Sequence, residues 1–170
     1  MTQVWEDVPL SRAHDRKAFD CGEPALNTYL TKYARQNHES GGAKTFVAVE
    51  ASAPEVILGY YTLSPASIEY ARTPAVARLG LGRHEVPVFR LARLATARHV
   101  PGRGLGGGLI VAAGRRCIAV AAQVGGVALL IDAKSERAAR WYAGFGAVPF
   151  ADAPLTLVLP LKTIEQALKA

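Results

Sequence analysis

Cysteine is scarce in this 170-residue chain: Cys21 and Cys117 are its only two. That excludes a disulfide framework and a thiolate zinc site, and it predicts free thiols in a reducing compartment. No apolar stretch runs 18 residues without a Gly, Arg or Asp, so none is expected to span a bilayer. The first thirty residues lack an apolar h-region, so no secretory signal is expected. The histidines His14, His38, His84 and His99 lack metal-ligand spacing, and no metal is expected. Repeats and low-complexity segments are absent. Half the residues are apolar and a fifth charged, which predicts one globular domain over 1–170. The expected location is the cytoplasm.

Negative charge is also missing from one long segment. Between Arg72 and Arg116 there are nine arginines (72, 78, 83, 90, 93, 98, 103, 115 and 116) and one carboxylate, Glu85. The whole chain carries a formal net charge of +6. This asymmetry points to a polyanion, and arginine suits bidentate phosphate contacts. The alternative is a solvated basic face that keeps the protein in solution.

Periodicity and turn residues predict the order α–α–β–β–loop–β–α–β–α–β, an α/β or α+β layer fold. Ser11–Phe19 is read as a short helix, and a second helix begins at Pro24 with Leu26, Tyr29, Leu30 and Tyr33 on one face. Strands are expected at Thr45–Glu50, Ile57–Leu63, Val86–Thr96, Val127–Ile131 and Leu155–Leu159, with a short one at Ser67–Tyr70 inside a basic loop. An Ala-rich helix is expected from Leu105 to about Gln123. Another should run from a Ser135 cap to Ala143.

The segment Pro101-Gly102-Arg103-Gly104-Leu105-Gly106-Gly107-Gly108 opens the Ala-rich helix. Glycines at a helix start let backbone N–H groups converge on an anion. A nucleoside-triphosphate loop would need Lys-Ser/Thr where Leu109-Ile110 stand, so that reading fails. A dinucleotide fingerprint is formally present at Gly102, Gly104 and Gly107, with Asp132 as its ribose ligand. A ligand-free Gly-rich turn is the bland alternative.

The same segment resembles the GNAT acetyltransferase family. There a Gln/Arg-x-x-Gly-x-Gly/Ala loop wraps the coenzyme A pyrophosphate, and an Asn-x-x-Ala-x-x-x-Tyr helix supplies an acid. The matching positions are Pro101-x-x-Gly104-x-Gly106 and Ser135-x-x-Ala138-x-x-x-Tyr142, followed by Gly144-Phe145-Gly146-Ala147. Pro101 stands in place of Gln/Arg and Ser135 in place of Asn. The resemblance implies the GNAT acyl-CoA N-acyltransferase fold, a central mixed sheet flanked by helices. It implies acetyl-CoA held by Leu94, Ala95, Thr96, Gly102, Arg103, Gly104, Leu105, Gly106, Gly107 and Ser135, with Tyr142 as general acid.

Phe19-Asp20-Cys21-Gly22, Leu26-Asn27-x-Tyr29-Leu30, Gly59-Tyr60-Tyr61-Thr62-Leu63-Ser64, Pro87-Val88 and Leu91-Ala92-Arg93-Leu94-Ala95 are similar to the GNAT toxins of type II toxin–antitoxin modules. That similarity implies acetylation of the α-amine of aminoacyl-tRNA, blocking translation. It also implies a small antitoxin with a ribbon-helix-helix region, DNA contact only through that antitoxin, no membrane, and a possible homodimer. Arg78, Arg83, Arg90 and Arg93 are the candidates for tRNA contact, although Arg90 and Arg93 fall on opposite sides of an extended strand. Alternative acceptors are a protein N-terminus or a small amine, and a basic entrance disfavours cationic amines. A non-catalytic acyl-CoA-binding module keeps the fold without the chemistry.

No general base stands out, and none is required: an aminoacyl α-amine titrates near about 8 and is partly neutral at physiological pH. Cys117 in an apolar helix and Cys21 in a tight turn read as structural. Trp5, Tyr60 and Tyr61 read as core or sheet-face aromatics.

Overall fold

The computed structural model describes residues 4–100 and 104–169. In chain order the elements are β1 (Trp5–Pro9), α1 (Pro24–Thr28), a π-helical turn (Tyr29–Tyr33), α2 (Ala34–Ser40), β2 (Lys44–Glu50) and β3 (Gly59–Ile68). A 3-10 turn (Tyr70–Arg72), α3 (Ala75–Arg78), β4 (Val86–Thr96), α4 (Leu105–Val124) and β5 (Ala128–Asp132) follow. Then come α5 (Glu136–Ala143), β6 (Val148–Pro149), β7 (Thr156–Pro160) and α6 (Leu161–Lys169). The strands form a seven-stranded mixed sheet in the order β1-β2-β3-β4-β5-β7-β6, flanked by helices. The chain divides into two compact units, residues 1–64 with 93–112, and residues 65–92 with 113–170.

In the first unit β1 pairs antiparallel with β2, from Trp5↔Glu50 to Pro9↔Phe46. Residues Leu10, Phe19, Leu30, Val47, Tyr60 and Ala95 form its buried core. Ser11–Phe19 is not helical. Ser11 and Asp15 side chains capture the amides of Ala13 and Ala18, and the Asp15 amide donates to Glu55 O, so local bonds compete with a helix. The Asp20-Cys21-Gly22 turn is locked to α1. Asp20 Oδ1 accepts from the Gly22 amide at 2.9 Å and from Asn27 Nδ2 at 3.0 Å, while Asn27 Oδ1 accepts from the Cys21 amide at 2.9 Å. Gly22 sits at φ +88°, a left-handed conformation that suits glycine. These bonds hold the Asp20 carboxyl below its ordinary pKa, the Gly22 amide first among them.

In the second unit β5 pairs antiparallel with β7 and parallel with β4. Ile68, Val86, Val88, Leu130, Phe150 and Val158 form its core. The separate strand expected at Ser67–Tyr70 is instead the end of β3, which continues through Pro65. Leu63 is the last β3 residue paired to β2, so no ladder bond on that side needs the N–H that Pro65 lacks. Two short helical turns occupy the basic loop.

One helix bears on the expectation about membranes. Helix α4 is long and apolar enough, by length and composition, to cross a bilayer. Yet Arg115 and Arg116 lie within it, and its apolar stripe, Leu105, Leu109, Ile110, Ala113 and Cys117, is buried in the protein. Those are the features of a core helix. Gly108 belongs to the same packing, since a Cβ there would meet Trp5 at 2.6 Å.

Candidate active site

Strand β4 pairs with β5 only through Phe89, Arg90 and Leu91, yet it runs on to Thr96. The Ala97 amide donates to Leu58 O at 2.8 Å, and the Ala95 carbonyl lies against Gly59, where a Cβ would meet it at 2.8 Å. Strand alternation therefore turns the backbone amides and carbonyls of Leu94 and Thr96 to the opposite edge, away from β3. Ala95 instead buries its side chain in the core of the first unit. Of the three strand residues named from sequence, Leu94 and Thr96 therefore present backbone groups at that edge, and Ala95 faces β3.

Gly104 adopts φ +70° and accepts the Gly108 amide through its carbonyl at 3.0 Å. The first-turn amides at Leu105, Gly106 and Gly107 have no carbonyl below them in the helix, and they carry its positive dipole end. Gly102 and Arg103 lie outside the described residues. The donors that remain suit an anionic pyrophosphate, and the β4 edge suits an amide-bearing arm.

Ser135 caps α5 through its side chain, with Oγ accepting the Ala138 amide at 3.1 Å. Asparagine caps helices equally well, which explains why serine can stand in its place. Ser135→Ala should lower stability by about 1 kcal/mol, while Ser135→Asn should leave it near wild type. Thermal melting checks this, with a drop of roughly 2–4 °C expected for alanine.

Tyr142 is 8% exposed, on the buried side of α5, and its ring meets Trp141 edge-on at 5.0 Å. Burial pushes its hydroxyl up to about 12. The hydroxyl makes no hydrogen bond among the described residues. The group is thus a protonated phenol at every physiological pH, with its O–H uncommitted.

The arginines divide. Arg78 lies over the Tyr70 ring at 4.7 Å and donates to Tyr70 O at 2.8 Å. With Arg83 and His84 it lines an open cavity of about 1080 Å³. Arg93 stacks on Tyr29 at 3.7 Å. Arg90 is instead ion-paired with Asp132 and lines a smaller polar cavity of about 310 Å³ with Ser67, Arg72 and Glu85. Arg72 pairs with Asp152 at 2.8 Å, and Arg98 with Asp20 at 3.5 Å. Among the described residues Arg78, Arg83, Arg93 and Arg115 carry no carboxylate partner.

The remaining candidates resolve simply. Asp132 is engaged by Arg90 rather than left for a ribose, and the sheet is mixed rather than doubly wound and parallel, so the dinucleotide reading falls. Cys117 is buried and its thiol is pushed up to about 12, which makes it inert. Cys21 is half-buried, with its thiol toward Glu23 O at 3.6 Å. Tyr60 and Tyr61 are core residues whose hydroxyls donate to Leu26 O and Asp7. His14 and His38 accept backbone amides through Nδ1. No metal-holding group of three exists among the described residues. Sequence reasoning missed Tyr70, whose ring backs Arg78. Its only signal was the placement of an aromatic inside a basic loop.

No protein-family model matches the chain. Solved structures resemble it over nearly its whole length. AtaT complexed with acetyl-methionyl-tRNAfMet has a TM-score of 0.88 and 27% identity, covering 96% of this chain and 99% of that one. A Tyr→Phe mutant of KacT has a TM-score of 0.88 and 28% identity, covering 97% and 99%. The fold is that of the GNAT N-acetyltransferases. Within that class, the chain belongs to the tRNA-acetylating toxins. It is 36% identical over 153 residues to the "tRNA-acetylating toxin" of Mycobacterium tuberculosis, covering 90% of each protein. It is also 28% identical over 160 residues to "Probable toxin TacT" of Sinorhizobium fredii, covering 89% of this chain and 88% of the relative.

Proposed function

We propose that this protein is a toxin that moves the acetyl group of acetyl-CoA onto the α-amine of an aminoacyl-tRNA, so that the acylated tRNA no longer serves translation. The relationship to the Mycobacterium tuberculosis toxin over 90% of both chains carries this reading. AtaT solved with acetyl-methionyl-tRNAfMet, and AtaTR solved with AcCoA, support the same substrates.

In this reading the Leu94 and Thr96 backbone holds the pantetheine arm, and the Gly104–Gly107 helix start takes the pyrophosphate with help from Gly102 and Arg103. Acetyl-CoA supplies an activated thioester carbonyl, which the neutral amine attacks. As the C–N bond forms and the C–S bond breaks, the Tyr142 O–H lies ready to give its proton to the sulfur. The amine's surplus proton passes to water, from which Tyr142 regains the one it gave, so no protein base is needed. Ser135 orients the helix that carries Tyr142. Arg83 and Arg93 meet phosphates of the acceptor arm and position the 3′ end, and Arg78 adds its positive charge beside them. Arg90 contributes less, because Asp132 offsets its charge.

The chain acts as one catalytic domain over residues 1–170 in the cytoplasm, where charged tRNA is found. Its partner is a small antitoxin with a ribbon-helix-helix region, and it reaches DNA only through that partner. A solved KacTA–DNA complex supports this assembly. A homodimer completes the reading and is checked by light scattering. Labelled acetyl transfer to charged tRNA, deacylated tRNA and a panel of free amines tests the activity. Transfer to charged tRNA alone is expected, and equal transfer to free amines would overturn the substrate.

A further inference from the structure

The open cavity between the end of β3 and the start of β4 holds chemistry that phosphate contact alone does not use. Its lining includes Tyr70, Arg78, Arg83, His84, Glu69 and Glu85. Arg78 is fixed twice, by its position over the Tyr70 ring at 4.7 Å and by its bond to Tyr70 O at 2.8 Å. A guanidinium held against an aromatic ring is a rigid, flat, cationic plane whose side-chain entropy is already lost. Arg83 and His84 are exposed and add donors at the rim. The carboxylates Glu69 and Glu85 would repel a bare phosphate cluster, but they accept hydrogen bonds from exocyclic amines and 2′-hydroxyls. Ser67 donates to Glu85 and fixes its orientation.

We infer that this cavity seats an unpaired nucleotide of the RNA substrate, its base stacked on the outer face of Arg78. Arg83 and His84 take the adjoining phosphate, and Glu69 or Glu85 accepts from the base amine. The three nucleotides of the unpaired tRNA 3′ end, C, C and A, all carry such an amine, whereas uridine does not. The inference rests on the aminoacyl-tRNA reading and adds to it a stacking subsite, with Tyr70 as a positioning residue behind Arg78.

The decisive variant is Arg78→Lys, which keeps the charge and removes the plane. A point-charge contact to a phosphate tolerates lysine, but a stacking platform does not. With the full-length protein, KM for aminoacyl-tRNA should rise about tenfold or more, as loss of a stacked base does, while acetyl-CoA affinity holds. The salt slope should stay as in wild type. Tyr70→Phe keeps the ring and should stay near wild type, whereas Tyr70→Leu should follow Arg78→Lys. Arg83→Gln should instead lower the salt slope by about one. An oligoribonucleotide ending in CCA should compete with aminoacyl-tRNA better than a uridine oligomer of equal length. If Arg78→Lys retains the wild-type KM, or the two oligomers compete equally, the stacking subsite is wrong. If wild-type protein fails to acetylate aminoacyl-tRNA at all, the functional reading falls first, and the two failures are told apart.

Discussion

Tyr142→Phe is expected to lower turnover by roughly 10²-fold or more while folding and acetyl-CoA affinity stay nearly intact. The substitution removes one oxygen that has no hydrogen-bond partner among the described residues, so no buried group is orphaned. Burial lifts this hydroxyl to about 12, above the ordinary value of a thiol near 8.5. It therefore stays protonated through the range in which the enzyme works and holds a proton for the sulfur. The pH profile follows from the same shift. Activity should rise as the substrate amine deprotonates near about pH 8, and Tyr142 should add no alkaline decline below about pH 10. Steady-state kinetics of the variant check this, and an unchanged kcat would remove Tyr142 from the chemistry.

The second large effect is that of salt. Arg78, Arg83 and Arg93 lack carboxylate partners among the described residues, so the charge of each is available to the RNA. Three such charges predict that affinity for aminoacyl-tRNA falls roughly 20- to 40-fold between about 50 and 200 mM salt. Transfer to a small free amine, where measurable, should hardly change. Had Arg90 been a full contact the slope would be steeper, but its pairing with Asp132 already offsets that charge. Equal slopes for tRNA and a small amine would mean that the arginines only solubilise the surface.

Much of this was legible in the residues. Pro24 at a helix start, the α4 span and the Ser135 cap all follow local rules, and the structure repeats them within a residue or two. What failed was tertiary in origin. Strand β1, with two carboxylates in five residues, has too little alternation to stand out and exists because β2 offers it an edge. Helix α6 follows β7 with no linker, since the Leu161 amide donates to Val127 O right after Pro160. Ser11 suggests the cap of a helix to Phe19, but the Ser11 and Asp15 side chains bind nearby amides instead.

The site was legible in kind and less so in detail. The glycine run pointed to phosphate, yet Gly108 is there to admit Trp5. Leu94, Ala95 and Thr96 are neighbours in sequence, and only the strand's hydrogen bonding shows that Leu94 and Thr96 face away from β3 while Ala95 faces it. Arg90 looked like its neighbours in sequence, and only the approach of Asp132 from β5 sets it apart.

The central claim is that acetyl-CoA and aminoacyl-tRNA meet on this protein at the amino acid's α-amine. The most direct measurement digests the tRNA after reaction and weighs the 3′-terminal aminoacyl-adenosine by mass spectrometry. The account predicts a fragment heavier by one acetyl group, with fragmentation placing it on the α-amine, and no such product from Tyr142→Phe on the same timescale. An unmodified 3′ fragment, or an acetyl group found on deacylated tRNA as readily as on charged tRNA, would contradict it.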